Sequence, residues 1–195
     1  MYWLFWPLLA YFLGSIPFGL IIGRLVGGVD VREHGSGNTG ATNVARTCGF
    51  GWGVTALALD VLKGYAPVVM AGDFNPCAPF LTIVAMAALL GHVFSPFLGF
   101  KGGKGVATTV GVFLALSPMA ALIGVVLTVA VIAASGYVSL GSLTLALAMP
   151  VLLLLSGSWS LVPLGLAVAV LLFWRHRENI SRLYQGQENS WRKGR

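Results

Sequence analysis

Residues 106–155, "VATTVGVFLALSPMAALIGVVLTVAVIAASGYVSLGSLTLALAMPVLLLL", run without a Lys, Arg, His, Asp or Glu. A bilayer core about 30 Å thick needs about 20 apolar residues per helical crossing. Fifty such positions are too many for two crossings and tight for three. The punctuation at Ser117-Pro118 and at Ser135-Gly136-Tyr137 divides the run into 106–116, 118–135 and 138–156. The first piece is short, so it is expected to tilt or to cross only in part.

The pattern extends outward from this run. Residues 3–23, 51–72, 79–99 and 159–174 are further apolar stretches, for seven spans in all. Five is the fallback if 106–135 is one span and the last stretch is reassigned. Composition agrees: 57% of the 195 residues are hydrophobic and 9% charged, with a mean hydropathy of +0.86. A soluble domain carries about 25% charged residues. The expectation is an all-α polytopic membrane protein in one domain, 1–195.

Charge orients it. The net charge is +6. With the N-terminus outside, the inner segments are 24–50, 100–105, 136–138 and 175–195. They carry Arg24, Arg32, Arg46, Lys101, Lys104, Arg175, Arg177, Arg182, Arg192, Lys193 and Arg195, which is every basic residue except Lys63. Cytoplasmic loops hold such an excess of Lys and Arg. The C-terminus is then cytoplasmic, and anionic lipid rather than nucleic acid accounts for the basic balance. Residues 1–23 lack the basic start of a cleavable signal, so they read as a retained first span.

Cys48 and Cys77 flank an apolar segment of about 28 residues and are expected on opposite faces, too far apart for a disulfide. No Cys/His spacing suits zinc, and no metal or cofactor is expected.

The polar runs all fall on the inner side: "EHGSGNTGATNVAR" at 33–46, "FKGGKGVATT" at 100–109, "SGYVSLGS" at 135–142 and "RHRENISRL" at 175–183. Glycines admit positive φ, so successive N–H groups can face one anion. Gly35 and Gly40 have Walker A spacing, but Ala41 stands where the lysine is required, which excludes that motif. Lys101 has the ordinary reading of a snorkelling anchor. Lys104 lies among glycines just before a new helix, whose N-terminus favours anions. In the tail, a straight helix would put His176, Asn179 and Ile180 on one face and pair Glu178 with Arg182. Asp60 and Lys63 sit inside a span at i,i+3 and read as a structural pair, and His92 as a satisfied core histidine. No H-x-x-x-x-D pair and no Ser-His-Asp set is present.

"GSGNTGATN" at 35–43, "GFKGGKGVAT" at 99–108 and "HRENISRL" at 176–183, together with "GSIPFG" at 14–19, resemble the signatures of the bacterial acyl-phosphate-dependent glycerol-3-phosphate acyltransferases, the PlsY type. The resemblance implies transfer of an acyl group from acyl phosphate to the sn-1 hydroxyl of glycerol 3-phosphate. The products are 1-acyl-glycerol 3-phosphate (lysophosphatidic acid) and phosphate, in the first committed step of phospholipid synthesis. It implies the bacterial cytoplasmic (inner) membrane as location, with membrane lipids around the chain and a soluble enzyme that makes acyl phosphate as partner.

It also implies site residues: Ser36, Lys104 and His176 as catalytic groups, with Gly37, Asn38, Gly40, Arg46, Gly103, Ser139 and Asn179 binding substrate. Arg46, Lys104, His176 and Asn179 fall to glycerol 3-phosphate. The backbone around Gly37 and Gly40, with Ser139, falls to acyl phosphate. The competing reading is a transporter for a small phosphorylated solute. It needs polar groups across the membrane, and the outer halves of the spans are nearly all apolar.

Overall fold

The computed structural model describes residues 2–194, with the side chain of Lys193 left out. Arg195, counted above in the basic tail, lies outside the described residues. These are arranged in helices and loops, with no strand among them. The chain forms two compact units, Met1–Ala115 and Leu116–Arg195.

The first unit opens with α1 (Tyr2–Ser15) and α2 (Phe18–Val26). Pro17 has no N–H and disfavours helix in the residue before it, which separates the two helices at Ile16. Together they form an apolar span of 25 residues. The polar run 27–40 follows, then the short helix α3 (Ala41–Cys48), α4 (Phe50–Phe74) and α5 (Ala78–Val93). A 3₁₀ turn at Pro96–Leu98 leads through the Lys101–Lys104 loop into α6 (Val106–Leu116).

Glycines set the close approaches here. A Cβ at Gly14 would overlap the Ala88 carbonyl, and one at Gly91 the Tyr11 carbonyl, so α1 and α5 pack nearly backbone to backbone. Small residues permit this in membranes, where van der Waals contact replaces the hydrophobic effect between helices. Tyr11 donates to the Phe94 carbonyl at 2.7 Å and Ser95 to the Ser15 carbonyl at 2.6 Å, which ties the C-terminal ends of α1 and α5 together.

The second unit contains α7 (Pro118–Ser135), α8 (Val138–Leu155), α9 (Val162–Arg175) and α10 (Arg177–Tyr184). Gly136, at φ +79°, ends α7 in the left-handed region that glycine favours. Segment 187–192 returns to that corner. Ser190 Oγ and Trp191 N–H both donate to the Gly136 carbonyl, at 3.2 and 3.0 Å, and Arg192 reaches the carbonyl of Ala133.

Among the described residues five helices are long and apolar enough to cross a bilayer: Tyr2–Val26, Phe50–Phe74, Ala78–Leu98, Pro118–Ser135 and Val138–Leu155. The pair Trp159–Arg175 and Arg177–Tyr184, bent by 61°, makes a sixth. The remaining expected span, Val106–Leu116, is apolar but has 11 residues, about 16 Å of helix. It covers roughly half a bilayer core, as its length foretold. Cys48 and Cys77 are both free thiols and bracket the 25-residue α4.

Candidate active site

In the first unit, the loop before α3 is organised by one side chain that the sequence reading passed over. Asn43 is buried. Its Oδ1 accepts the Ser36 N–H at 2.7 Å. Its amide group donates to the carbonyls of Val31, His34 and Asn38 at 2.6, 3.0 and 2.8 Å. A Cβ at Gly35 would overlap this Oδ1, and Gly35 lies at φ +61°. The glycine is therefore required twice, by conformation and by space. The signal available in sequence was an asparagine just inside a helix start, where its amide reaches back over the preceding loop.

The same loop spends several of its own amides. Gly37 N–H donates to the His34 carbonyl at 3.1 Å and Gly40 N–H to Asn38 Oδ1 at 3.0 Å. The first N–H groups of α3, at Ala41 and Thr42, have no acceptor within their own helix. Ser36 is exposed, and Arg46 lies exposed on α3 one turn beyond them. Upstream, Asp30 accepts two bonds from the Arg32 guanidinium, at 2.9 and 2.6 Å, and one from the Arg32 N–H at 3.0 Å. The Arg32 guanidinium beside Asp30 holds its carboxyl well below the usual carboxylate range.

The second loop of this unit is seated on α5. Gly102 N–H donates to the Val93 carbonyl at 3.0 Å and Gly103 N–H to the His92 carbonyl at 3.2 Å. A Cβ at Gly103 would overlap the His92 ring. Phe100, at φ 62°, and Gly105, at φ 89°, turn the chain on either side. Lys101 is exposed and Lys104 half-buried, so the two lysines of this loop have different surroundings.

In the second unit, His176 stands at the bend between α9 and α10 and is 2% exposed. Its Nδ1 lies 2.8 Å from the Leu172 carbonyl. A carbonyl only accepts, so Nδ1 carries the proton and Nε2 is the acceptor of the neutral ring. Asn179 is buried and donates to Glu188 Oε1 at 2.6 Å, while Arg182 Nε reaches Glu188 Oε2 at 2.8 Å. Burial pushes the Glu188 carboxyl up, but the hydrogen bonds from Asn179 and Arg182, with Ser139 close by, outweigh it and hold it below its ordinary value. Asn179 and Arg182 are thus brought to one carboxylate, while the buried Ser139 Oγ makes no hydrogen bond among the described residues.

Two expectations about this tail are corrected. The helix does not run straight through His176 but bends there, so Ile180 is exposed while His176 and Asn179 are buried. Arg182 pairs with Glu188 rather than with Glu178, whose exposed carboxylate lies 3.9 Å from Arg177. A carboxylate that also accepts from Asn179 outcompetes an exposed i,i+4 contact, worth about 0.3–0.5 kcal/mol.

Residues 4–186 match the family model described as glycerol-3-phosphate acyltransferase. The chain belongs to the glycerol-3-phosphate acyltransferase family. It is 58% identical to the glycerol-3-phosphate acyltransferase of Maridesulfovibrio salexigens over 193 residues, 99% of each chain. It is 55% identical to that of Desulfovibrio desulfuricans over 190 residues, 97% of this chain and 85% of that one.

Among solved structures it is similar to PlsY (YgiH), an integral membrane glycerol 3-phosphate acyltransferase. Against the glycerol 3-phosphate form the TM-score is 0.94 at 41% identity, covering 98% of this chain and 96% of that one. Against the lysophosphatidic acid form it is 0.92 at 40% identity, covering 97% and 95%. This glycerol-3-phosphate acyltransferase is therefore a multi-pass membrane enzyme, and the transport alternative falls away. Among its described residues no group of three His, Cys, Asp or Glu side chains is placed to hold a metal ion.

Proposed function

We propose that this acyltransferase moves an acyl group from acyl phosphate to the sn-1 hydroxyl of glycerol 3-phosphate. It releases 1-acyl-glycerol 3-phosphate and inorganic phosphate at the cytoplasmic face of the bacterial inner membrane, as the first committed step of phospholipid synthesis. The observation that carries the reading is the close likeness to PlsY in both its glycerol 3-phosphate and its lysophosphatidic acid forms. Those two molecules differ by one acyl group.

Two phosphates and a fatty chain set the chemical demands. Arg46, Lys104, His176 and Asn179 hold glycerol 3-phosphate. Arg46 binds a phosphate through two parallel N–H groups, which a lysine does not. Ser36, Asn38, the backbone around Gly37 and Gly40, and Ser139 take the donor's phosphate, with Gly103 allowing the backbone near Lys104 to come close. The loop amides already bonded to His34 and Asn38 keep this backbone in shape, and the first N–H groups of α3 face the anion.

The donor is a mixed anhydride whose phosphate is both leaving group and base. Its second ionisation, near pH 6 for such esters, lets it accept the proton of the attacking hydroxyl. The protein then supplies position and electrostatics. The absence of an H-x-x-x-x-D pair fits a donor that needs no external base.

The test is formation of 1-acyl-glycerol 3-phosphate by the purified protein from glycerol 3-phosphate and either acyl phosphate, which releases phosphate, or acyl-CoA, which releases the CoA thiol. Turnover with acyl phosphate alone is expected. Equal turnover with the thioester would refute the donor assignment.

A further inference from the structure

Asp60 and Lys63 have no part in the chemistry above, yet they lie buried at the heart of the first unit. Their side chains are 3% and 5% exposed, and Lys63 Nζ stands 2.7 Å from Asp60 Oδ1. The same ammonium donates to the Ile16 carbonyl at 2.8 Å and lies 5.7 Å from the centre of the Phe18 ring. The break at Pro17 takes that carbonyl out of regular helix, and Lys63 satisfies it. On the other side, His92 Nδ1 is 3.9 Å from Asp60 Oδ1 and 3.1 Å from Thr108 Oγ1. Beside them is a small, partly open cavity of about 10 Å³ whose lining includes Ser15, Thr39, Asp60, Lys63 and His92. That is room for about one water molecule with several polar partners.

Both glycine loops rest on this cluster. A Cβ at Gly19 would overlap the Thr39 carbonyl, so α2 meets the first loop at its backbone. Thr39 itself lines the cavity. The second loop lies on the cluster's other wall, with Gly102 and Gly103 packed on His92. A buried ion pair is weak evidence of stability, because well-packed apolar residues of similar size often serve as well. The cluster therefore calls for a reason other than holding helices together.

We propose that Asp60, Lys63 and His92 are positioning residues that set the two loops, at Thr39 and at Gly103, in register for the phosphate of glycerol 3-phosphate. The proposal rests on the reading that these loops hold phosphate. A shift of one loop against the other moves Arg46 of α3 relative to Lys104, and two contacts on one small anion cannot both survive it.

The experiment compares the double variant Asp60→Leu/Lys63→Met with wild type and with Lys104→Ala, measuring thermal unfolding in detergent together with KM and kcat. The double variant is expected to unfold within a few degrees of wild type while KM for glycerol 3-phosphate rises tenfold or more and kcat changes less than threefold. A folded double variant with unchanged KM overturns the proposal. Should that variant not accumulate, Thr39→Val decides, since it alters only the loop's own residue at the cavity. A raised KM supports the proposal and an unchanged one overturns it. Lys104→Ala separates the two levels. If it raises KM while the core variants do not, positioning alone fails. If it too leaves KM unchanged, the phosphate-loop reading fails and takes the positioning role with it.

Discussion

Arg46 and Lys104 each bring a formal charge to a phosphate under the proposed reading, and a charge-assisted hydrogen bond is worth about 1.5–3 kcal/mol. Arg46→Ala and Lys104→Ala are each expected to lower kcat/KM by roughly ten- to a hundredfold. Arg46→Lys should recover only part of the loss. Lys101→Ala should be milder, because Lys101 is exposed where Lys104 is half-buried. Steady-state kinetics with glycerol 3-phosphate as the varied substrate checks all four, and a larger effect at Lys101 than at Lys104 would reverse the assignment. His176 tests the base. With Nδ1 given to the Leu172 carbonyl, its Nε2 either holds substrate or accepts a proton. If the donor's phosphate is the base, His176→Ala weakens acceptor binding and leaves the shape of the pH–rate profile intact. If His176 is the base, the variant loses the acidic limb and about 10² to 10⁴ in rate. At this scale motif and spacing point to the charged candidates. They do not point to Asn43, because its four contacts reach back over a loop whose path no periodicity announces.

The bend between α9 and α10 and the return of the chain to Gly136 belong to the scale of elements. The apolar period marks α9 clearly, but the 61° bend follows from a backbone break at His176 that a helical wheel does not contain. Nor does local spacing show that Arg182 prefers Glu188, six residues on, to Glu178. That choice depends on a turn at Gly186, φ +67°, that brings the carboxylate back. Glu188 ties the returning segment to α10 through Asn179 and Arg182, beside Ser139 of α8. Its folded carboxyl lies below its ordinary value of 4.5, so the ionised form is the one the fold favours. The stabilisation is present above that value and is lost as pH falls through the lower folded one. Glu188→Gln keeps the shape and removes the charge. It is expected to hasten tryptic cleavage at Arg192 and to lower the unfolding midpoint at pH 7, with the difference in midpoint from wild type shrinking toward pH 3. A difference that grows on acidification would contradict the role.

At the scale of the whole molecule, the helical class and the sites of its breaks were readable because apolar runs of 18 to 25 residues leave little alternative. The number of crossings was harder, since α6 is too short to declare itself. Its state decides the parity of the topology. With α6 crossing, the tail lies opposite the N-terminus, and the basic residues share one side as the charge bias demands. In a background lacking Cys48 and Cys77, Gln187→Cys is expected to react with an impermeant thiol reagent only from the cytoplasmic side. Cys48 alone should do the same. Labelling of Gln187→Cys from outside would mean that α6 turns back within the membrane. The ion pair of α4 bears on how this chain enters the bilayer at all. Each charged side chain at the middle of a lone inserting helix adds about 2.5–3.5 kcal/mol to the transfer, and α4 has two, with the weakest apolar character of the five long helices. Its insertion is thus underwritten by what the ribosome has already delivered, since the Ile16 carbonyl and the Phe18 ring precede Lys63 in synthesis. The order of elements along the chain doubles as an assembly schedule, in which the broken first span must be in place to receive the fourth helix.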